Sequence, residues 1–321
     1  MSISRRDFVA RSAAVGLGLP LADAALAATP RAPAAAARPI TIFSKPLQWL
    51  SFEELGAMVK EIGFDGVNLP VRPNGHVLPE RVADDLPRAA EAFRRAGLGL
   101  PVITTAILDP RSPTTEAVLR TASSLGIGYY RLGDLNDPAN TPVLAALEGH
   151  RARLAELAEV NRRFSISGAY QNHAGTRVGS PVWDLWHVMR DLDPRWIGIE
   201  YDIRHATVEG GSAWPLALRL LAPHIRTIDV KDFIWAKNAS GRWAIHNVPL
   251  GEGMVDFPAF FKLVKELGIG GPISIHYEYE PYESMAKPAN QAEHVRNAVI
   301  AMRRDLTKLR EMLDAAGIEH G

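Results

Sequence analysis

Residues 225–232 read Ile-Arg-Thr-Ile-Asp-Val-Lys-Asp, a short run rich in β-branched residues that ends in charged side chains. A short apolar run of this kind predicts a buried strand. Three other apolar runs also end in polar clusters, at Tyr170–His173, Tyr201–His205 and His276–Glu280. The carboxyl ends of parallel strands meet at one face of a closed barrel, so these clusters would form a site there.

Helical patterns alternate with these strands and with four earlier ones. Ser51, three residues before Glu54, forms the capping-box pattern that predicts the start of the first helix. Strict alternation of eight strands with eight helices predicts an α/β protein with a single (β/α)8 TIM barrel. An open doubly wound sheet is the alternative, but no Gly-x-Gly-x-x-Gly motif follows the first strand. The predicted strands cover residues 40–43, 66–71, 101–106, 129–132, 164–170, 197–201, 225–230 and 273–277, and the later helices begin near residues 82, 115, 142, 181, 213, 257 and 289.

The first residues carry an export pattern. The segment Ser4-Arg5-Arg6-Asp7-Phe8 precedes an apolar run at 13–21, and residues 25–27 have the form of a cleavage site. An ordinary secretory signal or a membrane anchor is the alternative, but the run is too short for a spanning helix. We therefore expect twin-arginine export to the periplasm, with no stable membrane span after cleavage. The predicted organisation is a signal peptide at residues 1–27, a flexible linker at 28–39 and a barrel domain at 40–321.

The composition narrows the class of ligand. Lys and Arg together number 36, as do Asp and Glu, so the formal net charge is zero. No basic block stands out, which disfavours a nucleic-acid surface. The chain has no cysteine, which excludes disulfides and thiolate chemistry and suits an oxidising compartment. Small neutral or weakly charged ligands fit this composition better than nucleic acids do.

Acidic residues at the predicted strand ends indicate a divalent metal site. Carboxylates combined with histidines and amide oxygens suit Mn, Mg, Co or Zn. Asp202, at the end of the sixth strand, is the first candidate ligand, although an aspartate after a strand also caps turns. Glu278 is the second, because strand alternation puts His276, Glu278 and Glu280 on one face, which we expect to be the inner one. Gln171 offers only a neutral oxygen, which is a weaker ligand.

Other polar residues near the strand ends are candidates for catalysis or substrate binding. His173 is a metal ligand, a general base or a histidine hydrogen-bonded within the rim. Lys231 shares a face of the seventh strand with Asp229, and burying a lysine there requires a partner. We expect Lys231 to donate to sugar oxygens rather than to pair with a carboxylate. The long connection at residues 233–256 is interpreted as a rim segment over the site.

The strand-end motifs resemble those of the xylose isomerase-like barrel superfamily, which includes sugar isomerases and epimerases. The resemblance spans roughly residues 40–310 and is carried by Tyr170–Gly175, Asp202–His205, Asp229–Asp232, Gly251–Phe257 and the glutamates after the eighth strand. It implies a TIM barrel whose metal is held by Glu, Asp, His and Glu at strands five to eight. The ligands that it implies here are Gln171, Asp202, Asp229 and Glu278, with Gln171 in place of a glutamate and Asp229 in place of a histidine.

These features together predict a divalent-metal-dependent isomerase or epimerase acting on a small carbohydrate, namely a sugar, keto sugar or glycoside. The ion, Mn, Zn, Co or Mg, would polarise a carbonyl while a base removes the adjacent proton. In a keto-glycoside lyase the same step would lead to elimination. The last helix, predicted over 289–316, offers a surface for a homodimer. Expected catalytic residues are Glu278, His173, His205 and Lys231, and expected substrate-binding residues are Arg204, Asn172, Trp235, His276 and Glu280.

Two other functions stay open. A periplasmic sugar-binding or sensory protein would keep the barrel and lose the metal, as Gln171 and Asp229 permit. A glycoside hydrolase needs two carboxylates across the scissile bond, for which Asp202 and Glu278 are candidates. Bound metal separates the isomerase prediction from both alternatives.

Overall fold

Parallel strands close a barrel in the computed structural model, which describes residues 37–136 and 140–321. In chain order the strands are β1 (Ile40–Phe43), β2 (Gly66–Pro70), β3 (Gly99–Thr104), β4 (Tyr129–Arg131), β5 (Ser167–Gln171), β6 (Ile197–Asp202), β7 (Ile225–Val230), β8 (Asp232–Lys237), β9 (Trp243–Val248) and β10 (Ile273–Ile275). Around the barrel the order is β1, β10, β7, β6, β5, β4, β3, β2, and all neighbours are parallel. The prediction of a (β/α)8 TIM barrel is confirmed. The predicted signal peptide lies outside the described residues.

Helices connect the barrel strands. The first begins at the predicted capping box, where the Ser51 hydroxyl accepts from the Glu54 N–H and the Ser51 N–H donates to the Glu54 carboxylate. No helix in the described ranges is long and apolar enough to cross a membrane. The helices are α1 (Phe52–Ile62), α2 (Val82–Arg95), α3 (Pro113–Ser124), α4 (Val143–Phe164), α5 (Val182–Met189), α6 (Ile203–Gly210), α7 (Trp214–Leu221), α8 (Phe257–Glu266) and α9 (Gln291–Ala316).

Three regions differ by more than two residues from the predicted elements. β5 begins at Ser167 instead of residue 164, because α4 continues to Phe164 and ends at Ser165 in a left-handed conformation (φ 52°). Helix α6 directly follows β6, where the sequence predicts a helix only from residue 213. The connection interpreted as a rim segment contains the antiparallel hairpin of β8 and β9.

The barrel interior is divided between a neutral and a charged side. On the side of β1, β2, β3 and β10, the Thr41 and Ser274 hydroxyls are hydrogen-bonded at 2.8 Å. The Asn68 Nδ2 donates to Ser274 Oγ at 3.3 Å, and the Asn68 Oδ1 accepts from Thr104 at 2.8 Å. All four residues are buried, so they satisfy one another. The buried charged side chains of the interior lie on or just after β4, β6, β7 and β10, including Arg131, Glu200, Asp202, Asp229 and His276.

The ends of the described chain pair with each other. The Arg38 N–H donates to the Glu319 carbonyl at 3.4 Å, and the Gly321 N–H donates to the Arg38 carbonyl at 3.0 Å. Arg38 belongs to the segment that the sequence predicts as a linker. Ordered pairing therefore starts two residues before β1.

Candidate active site

One amide side chain joins two buried carboxylates at the ends of β5, β6 and β7. Parallel pairing sets Gln171 beside Glu200 and Asp202 beside Asp229. The Gln171 Nε2 donates to Asp202 Oδ2 at 3.1 Å and to Asp229 Oδ2 at 2.6 Å. Three of the predicted metal ligands therefore meet, but they meet through the amide nitrogen. The Gln171 Oε1 is buried and has no hydrogen-bond partner.

Lys231 links two of the predicted carboxylates. Its Nζ lies 3.2 Å from Asp202 Oδ2 and 3.0 Å from Glu278 Oε2, and the lysine is 4% exposed. Burial alone raises the pKa of Glu278, but the charges and hydrogen bonds of Lys231 and His276 outweigh burial and hold that pKa well below its ordinary value. Glu278 is therefore ionised at neutral pH. The expectation that Lys231 would not pair with a carboxylate is therefore wrong, because it pairs with two, whereas its binding of sugar oxygens stays a prediction.

A second group of ligand atoms lies deeper in the barrel. Glu200, Asp229 and His276 each offer one atom, and these atoms lie within 4.8 Å of one another. The His276 Nε2 is 3.2 Å from Asp229 Oδ1, yet neither atom has an aligned hydrogen bond. The Glu200 Oε1 also lacks a hydrogen bond, although the Arg131 Nε lies 3.8 Å away. Two carboxylates and an imidazole with unsatisfied buried atoms fit a divalent metal, so this group could hold one.

The charges within this deeper group are coupled. Burial and the neighbouring Asp229 charge raise the pKa of Glu200 well above its ordinary value. Burial alone would raise the pKa of Asp229, but His276 outweighs it and lowers that pKa. Burial lowers the pKa of His276, and the Asp229 charge overcomes that effect and raises it. Without an ion, these shifts favour the neutral form of Glu200, the ionised form of Asp229 and the charged form of His276.

Two stacked histidines stand beside the carboxylates. The rings of His173 and His205 have centroids 4.0 Å apart. The His173 Nδ1 lies 2.8 Å from the Ala174 carbonyl, which can only accept, so the neutral ring carries its proton on Nδ1 and leaves Nε2 as an acceptor. The His205 Nδ1 lies 3.0 Å from Arg204 Nη1, which can only donate, so the neutral His205 carries its proton on Nε2. The pair thus presents one acceptor and one donor.

Burial keeps both histidines neutral. It lowers the pKa of His173, which the backbone hydrogen bond opposes. It lowers the pKa of His205 well below the ordinary value, and the charge of Lys231 lowers it further. Both rings are therefore uncharged at neutral pH, which is the state that a proton-transfer group needs.

Arg204 is buried among neutral partners. Its guanidinium donates to His205 Nδ1 and to the Asn247 Oδ1 on β9, and it lies over the Phe233 ring at 5.5 Å. Its Nε is buried without a hydrogen bond, and no ion pair to Arg204 occurs in the described part of the chain. Burial lowers its pKa, an effect opposed by Asp202 and Glu278. The guanidinium therefore keeps a free donor near the site.

The remaining predicted site residues take different positions. The Asn172 side chain is used by the backbone of Asp202, accepting from its N–H at 2.8 Å and donating to its carbonyl at 3.0 Å. Asn172 thus fastens the end of β5 to that of β6. Trp235 lies on the hairpin and is 41% exposed. Glu280 is exposed and acts on Glu283, whose pKa is raised by burial and by Glu280.

Asp232 organises the loop that follows the hairpin. Its carboxylate accepts from the backbone N–H groups of Phe233, Gly251, Gly253 and Val255, at 2.9 to 3.2 Å. A side chain at Gly253 would begin 2.2 Å from Asp232 Oδ1, so only glycine fits there. The Gly-Glu-Gly stretch of the sequence is therefore structural.

Replacing Asp232 with alanine should lower the free energy of unfolding by about 2–3 kcal/mol, because it leaves the N–H groups of the buried residues Phe233 and Val255, and two partly buried ones, without an acceptor. Chemical denaturation measures this change. Asp256→Ala is the matched control, since Asp256 caps α8 through one N–H and should cost only about 1 kcal/mol. Equal losses for the two variants would contradict this role for Asp232.

Two buried ionisable residues of the interior, Glu200 and Arg131, were not among the predicted site residues. Glu200 lies two positions before Asp202 on β6, and strand alternation puts both side chains inside. Arg131, at the end of β4, has its Nη2 3.5 Å from Asp134 and its Nε 3.8 Å from Glu200. The alternation of side chains along a strand, which was used to place Glu278 after the eighth strand, would also have placed Glu200 on the same face of the sixth strand as Asp202.

Comparisons with known proteins place the chain in a family. Residues 57–304 match the family described as xylose isomerase-like TIM barrel. An uncharacterized protein of Methanocaldococcus jannaschii is 24% identical over 131 residues, which cover 40% of this chain and only 43% of that protein. Among solved structures, an L-ribulose 3-epimerase has a TM-score of 0.64 at 18% identity, covering 87% of this chain and 95% of the other. The IOLI protein with a bound zinc atom has a TM-score of 0.65 at 15% identity, covering 88% and 99%.

These matches agree with the closed barrel of eight parallel strands. The solved structures are too distant in sequence to carry more than the fold, whereas the family match covers well over half of the chain. The resemblance stated from the strand-end motifs is confirmed. The chain belongs to the xylose isomerase-like TIM barrel family.

Proposed function

We propose that this protein is a metal-dependent sugar isomerase or epimerase that moves a proton on a carbon next to a carbonyl. The observation that carries the proposal is the convergence of the stacked histidines, Lys231 and the buried carboxylates at the carboxyl ends of the barrel strands. The similar structure of an L-ribulose 3-epimerase supports this class of reaction.

Glu200, Asp229 and His276 would hold the metal. Their unsatisfied buried atoms and mixed oxygen and nitrogen ligands support this choice. The Gln171 oxygen, which also lacks a hydrogen bond, belongs to a side chain bonded to Asp229 and adjoins the group. A divalent ion in such a site acts as a Lewis acid that polarises a carbonyl oxygen.

The two histidines would have different roles in proton transfer, one as the base and the other as a hydrogen-bond donor. The free Nε2 of His173 is an acceptor on a partly exposed ring, so it would remove the proton next to the carbonyl. The Nε2–H of His205 would donate to the substrate oxygen where negative charge develops. Glu278 is the alternative base, but its lowered pKa makes it a weaker proton acceptor in the resting site.

Two cations would hold substrate oxygens. Lys231 has three donors, and its two carboxylate partners leave one for a ligand. Arg204 has a buried Nε without a partner. Both would orient the sugar so that the reacting carbon faces His173.

Exchange of substrate protons with solvent tests the reaction. Ketopentoses and ketohexoses would be incubated with the purified protein and Mn, Zn, Co or Mg in deuterated water, and deuterium at carbon would be followed by NMR. His173→Gln should reduce exchange by about 10²–10⁴-fold, because it removes the general base. His205→Gln keeps a hydrogen-bond donor and should cost less.

The dependence of proton exchange on pH also tests the role of His173 as the base. Burial lowers the pKa of His173, so the acidic limb of the exchange profile should be centred below pH 6.5, the ordinary value for histidine. An acidic limb centred above pH 6.5, or full activity in His173→Gln, would contradict the role of His173 as the base.

A metal-free carbohydrate-binding protein is the second candidate. In its favour, three of the carboxylates have an internal partner, since Gln171 bridges Asp202 and Asp229 and Lys231 pairs with Asp202 and Glu278. Sugar binding without proton exchange would support it. The glycoside hydrolase alternative is less well supported, because both Asp202 oxygens are already engaged by His205, Gln171 and Lys231.

We further propose that the mature protein works in the periplasm after twin-arginine export. The paired arginines before the apolar run support this proposal. Residues 1–39 fused to a fluorescent reporter should direct it to the periplasm, and the variant with both Arg5→Lys and Arg6→Lys should retain it in the cytoplasm. Export of the double variant at the wild-type level would contradict the route.

A further inference from the structure

The β8–β9 hairpin carries an aromatic face. In this antiparallel pair Phe233 faces Asn247, Trp235 faces Ile245 and Lys237 faces Trp243. Directly opposed residues and residues two apart share a face of a hairpin. These six side chains therefore form one continuous surface, which we call the hairpin face.

The inner end of the hairpin face lies in the candidate active site. Phe233 is 1% exposed, and the Arg204 guanidinium lies over its ring at 5.5 Å. The Asn247 side chain accepts from Arg204 and donates to the Glu278 carbonyl at 2.8 Å. The hairpin face is thus continuous with the residues that would hold the reacting sugar.

The outer end of the hairpin face is exposed. Trp243 is 67% exposed and Trp235 is 41% exposed, while the Lys237 Nζ lies 5.9 Å from the centre of the Trp243 ring. Phe233 and Lys237 are four steps apart along an extended strand, or roughly 13 Å at about 3.3 Å per step. An exposed aromatic surface with polar neighbours is the kind of surface that binds a ligand with an apolar face and polar edges.

We propose that the hairpin face binds a second sugar ring, so that the substrate is a glycoside of two or more rings. The ring that reacts would lie at the barrel mouth, and the next ring would stack on Trp235 and Trp243. Continuity with the site favours this occupant over a partner protein, because Arg204 and Asn247 join the two surfaces without a break. This inference rests on the proposed function for the identity of the ligand as a sugar.

Binding of glycans to the purified protein tests the inference. An array of mono-, di- and trisaccharides would be screened, and affinities of the best disaccharide and of the methyl glycoside of its reacting sugar would be measured by calorimetry. We expect the disaccharide to bind about 100-fold more tightly, because its second ring would gain two aromatic contacts that are each worth about tenfold. Trp235→Ala and Trp243→Ala should each lower the ratio of the two affinities by about tenfold.

Trp183→Ala is the matched control, because Trp183 is 61% exposed on α5, outside the hairpin. It should leave the ratio unchanged. The inference is overturned if no glycan of two or more rings is preferred, or if the preference persists in the Trp235→Ala, Trp243→Ala double variant. It is also overturned if Trp243→Ala instead converts an oligomer to a monomer in sedimentation. Disaccharide preference without proton exchange would refute the isomerase proposal alone, and exchange without preference would refute this inference alone.

Discussion

Lys231→Met is expected to lower the free energy of unfolding by about 3 kcal/mol, the cost of breaking a buried ion pair from one side. The lysine is 4% exposed and is the close cation for both Asp202 and Glu278. Removing it leaves Asp202 buried with a hydrogen bond from Gln171 but without its countercharge. Glu278, whose side chain is 25% exposed, is partly compensated by water, so the lower end of the usual range applies.

Urea denaturation measures this effect, and Lys262→Met is the matched control. Lys262 is 76% exposed and lies 3.9 Å from Glu266 on the same helix, so its loss should change stability by less than about 0.5 kcal/mol. Adding Glu278→Gln to Lys231→Met should recover part of the loss, because one uncompensated charge disappears. A Lys231→Met protein as stable as the control would refute the account of the charged cluster.

His276→Ala is expected to remove both metal binding and turnover. It deletes the only nitrogen ligand of the deeper group, and even a supporting residue of a metal site is worth about 10–100-fold in affinity. We therefore expect a loss of at least about 100-fold in metal affinity. The substitution also leaves Asp229 without its partner, so stability must be measured alongside.

His224→Ala provides the comparison for His276→Ala. His224 is also buried, but it lies before β7 at the opposite end of that strand from Asp229. It should keep wild-type metal affinity while losing some stability. If His276→Ala folds and binds metal as tightly as His224→Ala does, the metal does not use the deeper group.

The periodic parts of the fold could be predicted from the sequence. The capping box at Ser51 and Glu54 is formed by local hydrogen bonds, so its pattern needs no tertiary information. The strand-end clusters met because parallel strands in a barrel end at the same face. Both features follow from patterns that are visible along the chain, namely a local capping motif and a repeated alternation of strands and helices.

Elements set by tertiary contacts were harder to predict. Apart from the buried Asp232 and Phe233, the residues of β8 and β9 are exposed or half-buried, because the two strands pair with each other and not with the barrel. The sequence therefore indicated only a long rim segment. Helix α6 begins at the Asp202 side chain, which accepts from the His205 N–H. Turn capping was the alternative that the sequence left open for this aspartate, and the structure shows that role.

Roles within the site depend on which atom points where. Residue type suggested Gln171 as an oxygen ligand, but its nitrogen contacts Asp202 and Asp229. Asn172 lies next to it and was expected to bind substrate, yet both ends of its amide are used by the Asp202 backbone. The alternation of side chains along a strand predicts which face of the sheet a residue lies on, but it does not predict the hydrogen-bond partner of each side-chain atom.

Metal content measured by plasma mass spectrometry tests the central claim most directly. Wild-type protein purified without chelators would be compared with Glu200→Gln, which keeps the size of the side chain and should fold normally because burial favours the neutral form at this position. We predict near-stoichiometric Mn, Zn, Co or Mg in the wild type and at least about 100-fold weaker binding in Glu200→Gln. Absence of metal from the wild type after incubation with each ion, or equal binding by the variant, would contradict a metal-dependent enzyme with its ion at Glu200, Asp229 and His276.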